Sequence, residues 1–448
     1  MIRERKRSEN EDVPLWALAW PIALELLLQY AIGAADTLMI SAVSDRAAAA
    51  VGVSNQVLHA FNMLFLFVNA GASIVMAVHW GAGRRESARR IAALAVRLNL
   101  IIGFVLGLGL YAGKDLILQW MQTPPEVIPD ARVYLGMVGS GTLLVAISTS
   151  AAASIRSTGD TRSPMYVALL MNAAHLALNY VLIFGAFGFP RLETAGVALS
   201  TLISRSLAVA CSLWLLQRLF PGFWRLRSRF SETLAALREV AGTGWPITMS
   251  NGSFAYVQTV VLSIISSIGV VPLAAYTYMN SIQGFPTMLG SALGLAVQIR
   301  IGQEYGAGRE WEAHRLAYHA VWIGWGVMNA VCFLFWVFRE DLIGMYTDDA
   351  DIAAMTMPIF ALYLLLQPLK MQTMGFAQSL YAVGDNRKVT YFGIASMWLL
   401  GAGGAWLFAI RLEWGLIGVY AAMFLDEGSR AVFAWLRWRN RRGLSAAK

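Results

Sequence analysis

The sequence predicts an all-α polytopic membrane protein, with twelve transmembrane helices in two pseudo-symmetric six-helix lobes. Three observations predict it. Hydrophobic residues make up 57% of the 448 and charged residues 14%, against about 25% charged in soluble domains, and mean hydropathy is +0.55. The apolar residues fall into twelve segments, most of them long enough to cross ~30 Å of hydrocarbon at ~1.5 Å per residue. The second half of the chain repeats landmarks of the first at a constant spacing. Helices are required because they satisfy their own backbone hydrogen bonds in lipid, and the alternating pattern of a barrel is missing.

In order, the segments are 14–42, 48–79, 88–112, 130–154, 163–187 and 193–218, then 242–268, 271–302, 314–338, 353–381, 389–410 and 415–437. Trp20-Pro21 recurs as Trp245-Pro246, Asn55 as Asn280, the loop GAGR at 81–84 as 306–309, and Gly159-Asp160 with Arg162 as Gly384-Asp385 with Arg387, each 225 positions later. The register slips only near the end, where Gly196-Val197-Ala198 matches Gly418-Val419-Tyr420. Six is even, so both halves enter the membrane from the same side, and the pseudo-two-fold axis lies along the membrane normal. The expected division is an N-lobe (1–218), a cytoplasmic linker read as an amphipathic surface helix (219–241), and a C-lobe (242–448).

The net charge of +8 suits a loop pattern rather than a nucleic-acid surface. Arg3, Arg5, Lys6 and Arg7 begin a series that continues through Arg84 and Arg85, Arg156 and Arg162, Arg225 to Arg238, Arg309 and Arg315, and Arg387 and Lys388 to the basic tail. The intervening loops are short, neutral or acidic, such as 338–351. Alternation of this kind places both termini in the cytoplasm and the protein in the inner (plasma) membrane. No cleavable signal peptide is visible; the first span directs insertion. Cys211 and Cys332 lie far apart in separate apolar segments and read as free buried thiols. No Walker motif, metal cluster or nucleophile elbow is present, so neither enzyme chemistry nor a resident metal or cofactor is expected.

The first segment departs from its apolar surroundings. Glu25, Gln29 and Asp36 lie within roughly 40° of one another on a helix. Carboxylates in hydrocarbon are costly and mark function. Their positions 225 residues on are Ser250 and Val261 for the two acids, so the acidic stripe belongs to the N-lobe alone. Glu25 needs a cationic partner, and Arg97 or Arg205 is expected to supply it. In the last segment Asp426, Glu427 and Arg430 have spacings of four and three, which allow an intrahelical ion pair; Lys370 is a further candidate partner for these acids. His175, His59 and Asn62 add polarity to their segments. Met63, Met137, Met171, Met279, Met288, Met371 and Met374 are candidates to line an adaptable cavity, the alternative being core packing.

The chain resembles the multidrug and toxic compound extrusion (MATE) family of bacterial secondary transporters. The likeness rests on the Pro-led first helix ending in Ala35-Asp36-Thr37, the paired GAGR loops, the Gly-Asp-x-Arg loops, LNYVLIFG at 178–185, and Asp426-Glu427 with Arg430. It implies a V-shaped pair of lobes around a central cavity, and antiport of amphipathic organic cations and drugs against H⁺ or Na⁺. It also implies that Asp36 couples the ion, with Asn179, Thr201 and Tyr134 around it. His175 stands where many relatives have asparagine, and Asn179 where one branch has a second aspartate. The seventh and tenth segments lack the carboxylates of some sodium-coupled relatives, which favours H⁺. The expected partners are small-molecule drugs and membrane lipid, without nucleic acid, for a monomer. A flippase of lipid-linked saccharides in the same superfamily is the alternative reading.

Overall fold

The computed structural model describes residues 14–223 and 230–445. Arg3, Arg5, Lys6, Arg7, Arg225, Arg227 and Arg229 lie outside the described residues. Described secondary structure is helical throughout: α1 Leu15–Ser41, α2 Asp45–Gly81, α3 Arg85–Trp120, α4 Ile128–Ser140, α5 Thr142–Ser157, α6 Arg162–Phe184 and α7 Glu193–Leu219 in the first half. The second half contains α8 Phe230–Ile268, α9 Val270–Gly306, α10 Glu310–Val337, the short α11 Arg339–Gly344 and α12 Ala350–Ala382. It ends with α13 Asn386–Arg411 and α14 Gly415–Ser445.

Ten of these helices are long and apolar enough to cross a membrane, and α4 with α5, bent by 43° at Gly141, make an eleventh span. The last helix, α14, carries Asp426, Glu427 and Arg430 in mid-length and stands outside that count. Its place in the repeat is nonetheless clear. A Cβ on Gly196 of α7 would lie 2.7 Å from the Leu182 carbonyl oxygen, and one on Gly418 of α14 would lie 2.7 Å from the Phe408 carbonyl carbon. Both helices use a glycine to press against the end of the preceding one.

The repeated loops serve the turns. Gly83 and Gly308 of the two GAGR loops have φ of 73° and 76°, and Gly159 and Gly384 have 96° and 80°. Left-handed backbone of this kind favours glycine. Asp160 accepts from the Ser163 backbone N–H at 3.0 Å, while its counterpart Asp385 binds Arg437 at 2.7 Å. These shared motifs therefore build the fold.

The helices cluster into two compact units, one formed by Leu24–Gly244 (the N-unit) and the other by the residues up to Ala23 together with Trp245 onward (the C-unit). Both crossings between units run through a helix close to a Trp-Pro pair, Trp20-Pro21 in α1 and Trp245-Pro246 in α8. Proline offers no N–H to the preceding turn, so each helix is softened there. Residues 230–241, expected within a separate surface helix, are instead the opening turns of α8. They are held because Val240 packs in the N-unit core with Val68, Ala72 and Phe220. The C-unit has its own core around Tyr363, Phe360, Tyr420 and Met279.

In the N-unit, α2 and the start of α8 cross at glycines. A Cβ on Gly71 would meet the Val240 carbonyl oxygen at 2.1 Å, and one on Gly244 the Phe67 carbonyl oxygen at 2.3 Å. Backbone atoms cannot yield as a side-chain tip can. Gly71→Ala should destabilise by about 1–3 kcal/mol through overpacking. Gly242→Ala, with nothing within 4 Å of the new Cβ, should be neutral or slightly stabilising. Thermal unfolding of the purified variants in detergent checks the contrast.

Candidate functional site

Asp36 sits in the last turns of α1, 7% exposed, inside the N-unit. Its Oδ1 accepts from Asn179 Nδ2 at 2.6 Å and faces His175 Nε2 at 2.8 Å. Both partners come from α6, one turn apart, so a single helix face supplies them. The other nitrogen of His175, Nδ1, faces Ser204 Oγ of α7 at 3.2 Å. Ser200 of α7 donates to Asn179 Oδ1. With its one hydrogen given to Asn179 and not to the Val197 carbonyl 2.9 Å away, Ser200 holds the amide with its nitrogen toward Asp36.

Tyr134 and Thr201 complete the surroundings. The Tyr134 hydroxyl donates to Asn55 Oδ1 at 3.3 Å and lies beside Thr201. Thr201 itself donates to the Val197 carbonyl at 2.7 Å. Arg205, half-buried, is near enough for its charge to act on Asp36 and Tyr134. The five residues expected around the coupling carboxylate (Asp36, Asn179, Thr201, Tyr134 and His175) therefore form one site. Ser200 and Ser204 were not anticipated. Their signal was the polar run Ser200, Thr201, Ser204 at helical spacing on the face toward α6.

The hydroxyl of Ser204 orders the protons. When it donates to the Thr201 carbonyl, 3.1 Å away, its single hydrogen is used and it accepts from Nδ1–H of His175. Nε2 then meets Asp36 Oδ1 with a lone pair, or with a second N–H when the ring is protonated. A lone pair against an ionised carboxylate repels. One proton between them is attractive in either position, as carboxyl O–H to Nε2 or as carboxylate to N–H⁺. Without that proton, the ring suits the carboxylate only as the other tautomer. Ser204 must then turn its hydrogen from Thr201 to Nδ1. The tautomer of His175 and the direction of the Ser204 hydroxyl are thus linked.

Glu25, eleven residues earlier or roughly 16 Å along α1, belongs to a different cluster. Its carboxylate takes Arg156 Nη1 at 2.7 and 2.8 Å, with side chains 8% and 16% exposed. The expected partner was Arg97 or Arg205. Arg156, in the last turn of α5, is the partner found on both carboxylate oxygens. Gln29, expected to join Glu25 and Asp36 in one stripe, is exposed. The stripe is therefore two separate polar sites.

Asp426 and Arg430 pair at 2.8 Å, and Glu427 and Arg430 at 2.7 Å. Ser396 Oγ adds a bond to Asp426 at 2.6 Å. The spacing had anticipated this intrahelical arrangement. Lys370 is close enough to interact electrostatically with Glu427 and Asp426. Among the candidate cavity methionines, Met279 is fully buried in the C-unit core. Met63 is exposed, and Met171 and Met288 are half-buried.

The family model MatE matches residues 21–181 and again 246–407. The two matches begin 225 positions apart, the spacing of the repeat. The chain belongs to the MATE family. The uncharacterized transporter YisQ of Bacillus subtilis is 31% identical over 97% of this chain and 96% of its own length. A probable multidrug resistance protein NorM of Thermotoga maritima is 25% identical over 93% of this chain and 91% of that protein. A crystal structure of a MATE protein in the bent conformation aligns with a TM-score of 0.86 at 19% identity, covering 95% of this chain and 94% of that one. This MATE protein is a transporter with many membrane-spanning helices, not an enzyme.

Breaking the buried Glu25–Arg156 pair leaves an uncompensated charge, at a cost of about 3–5 kcal/mol. Arg156→Gln should lower the unfolding temperature sharply, and adding Glu25→Gln should restore most of it. Thermal unfolding of the single and double variants measures this. A double variant as unstable as the single one would show that the pair does not act as a unit.

Proposed function

We propose that this MATE protein exports amphipathic organic cations and drugs in exchange for H⁺, with the proton held between Asp36 and His175. The observation that carries the choice of ion is the donor set at Asp36. An imidazole nitrogen and an amide nitrogen face its Oδ1. The amide oxygen that could have ligated an alkali ion is engaged by Ser200. Hard cations favour clustered oxygens, whereas a carboxyl and an imidazole readily share one proton. The names of the multidrug relatives support the substrate class. The arginine-rich loops support an orientation with both termini in the cytoplasm of the inner membrane.

In this reading, H⁺ enters from outside and loads Asp36 and His175. Substrate leaves as the transporter rearranges, and the proton is given up on the cytoplasmic side while new substrate binds. Arg205 and Tyr134 also lie close enough to interact electrostatically with Asp36.

Proteoliposomes with ΔpH alone or ΔNa⁺ alone, loaded with a fluorescent organic cation, test the proposal. ΔpH should drive flux in the wild type, and Asp36→Asn should abolish it without changing thermal unfolding. His175→Asn removes the second proton acceptor. Flux should persist, but at a given ΔpH it should fall by about threefold or more, through loss of a hydrogen bond to a charged group. Flux driven only by ΔNa⁺, or unaltered in Asp36→Asn, would overturn the mechanism.

A further inference from the structure

A cavity of about 370 Å³ lies within the C-unit, between the first turns of α1 and the facing sides of α9 and α10. It is lined mainly by apolar side chains, among them Leu15, Ala19, Ala292 and Met328, with Arg300 and His319 as its ionisable groups. From Leu289 to Arg300 it follows eleven residues of α9, roughly 16 Å.

The internal repeat explains why this seam is hollow. Its counterpart in the N-unit is the crossing of α8 on α2. There Gly71 and Gly244 let the backbones touch, Val240 is buried, and Phe67 adds its ring. The positions related by 225 residues are Ala296, Ala19, Leu15 and Ala292. Two alanines stand where the glycines allow close approach, and a methyl replaces the phenyl group. The same seam gains polarity. Arg300 stands where the first repeat has Val75, and His319 where it has Leu94. One repeat has closed the crossing with apolar bulk; the other has opened it and placed cationic chemistry at one end.

Trp16, which lines the cavity, and Trp311, in the first turn of α10, are both exposed, and exposed indoles favour the headgroup region. Arg300 meets Glu304 at 3.1 Å, and Arg309 meets the same carboxylate at 2.5 Å. One carboxylate is thus shared by two guanidiniums. His319 is exposed at the cavity rim. A basic group at headgroup depth beside an apolar cavity suits an anionic lipid.

We propose that this cavity binds one anionic phospholipid of the arginine-rich membrane face. An acyl chain lies among Leu15, Ala19, Ala292 and Met328, and the phosphate meets Arg300 and His319. The lipid so held fastens the first turns of α1 to the C-unit. This reading is independent of the coupling ion and of the drug site.

The test is native mass spectrometry of the detergent-released transporter, offered phosphatidylglycerol and phosphatidylcholine in equal amounts. The wild type should retain one phosphatidylglycerol under conditions that strip phosphatidylcholine. Ala292→Phe, which restores the bulk of the first repeat, should cut that retention about tenfold. His319→Glu, at an exposed position where folding is not at stake, should do the same by charge repulsion. Equal retention of the two lipids by the wild type would overturn the proposal, as would unchanged phosphatidylglycerol retention in His319→Glu. So would variants that keep the lipid but lose binding of a fluorescent organic cation, because the cavity would then belong to the transported substrate.

Discussion

A carboxylate withdrawn from water must be met by donors of its own, and in this protein that demand shapes each polar site. Asp36 is met by a histidine and an asparagine one turn apart on α6. Glu25 is met by both contacts of one guanidinium nitrogen. Asp426 and Glu427 share Arg430. Desolvation of any one of these charges would cost several kcal/mol if its partner were removed. Each cluster is internal to its own unit, so the electrostatic demand of each unit is met by residues of that unit. The clusters differ in what they allow. Arginine stays protonated under all ordinary conditions, so Glu25 and the Asp426–Glu427 pair are held as fixed ion pairs. Asp36 faces an imidazole and an amide instead of a guanidinium. The partner chemistry therefore sets the Asp36 site apart from the two arginine-held clusters.

The tandem repeat gives a second way to separate scaffold from function. Positions that recur serve geometry: the left-handed glycines of the loops, the glycines at which α7 and α14 press on their neighbours, and the prolines near each crossing between units. Positions that differ carry the chemistry. Asp36 corresponds to Val261 and Glu25 to Ser250, so the acids belong to the first repeat alone. The crossing of α8 on α2 and that of α1 on α9 have diverged in the same sense, from glycine, phenylalanine and valine on one side to alanine and arginine on the other.

Much of this was legible in the sequence because helical spacing is local. Residues 175 and 179 must share a face, as must 426 and 430, and the constant repeat spacing announces the two halves. What stayed hidden depends on contacts between distant segments. Arg156 reads as a loop cation, yet its side chain reaches back from the last turn of α5 to Glu25. Gln29 shares the angular position of Glu25 and Asp36, but it is exposed where both acids are buried. Met279 has the same composition signal as the exposed Met63, and only packing separates them. The bend at Gly141 and the continuity of residues 230–241 with α8 are likewise tertiary outcomes, the second fixed by where Val240 finds a core.

The position of Asp36 gives the proposed proton a mechanical consequence. Its helix belongs to both units: the turns before Leu24 cluster with the C-unit and those after it with the N-unit. Pro21 leaves the Ala17 carbonyl without its usual N–H partner, so the two halves of α1 are joined by a softened turn. The C-terminal half is tied to α6 through His175 and Asn179. Loss of the shared proton sets a lone pair against a carboxylate, or forces Ser204 to release the Thr201 carbonyl. Either change weakens or rearranges the tie at one end of a helix whose other end is counted in the opposite unit. A proton held between two side chains can in this way bias a helix common to both units, and a carboxylate placed within a single unit's own helices would have no such reach.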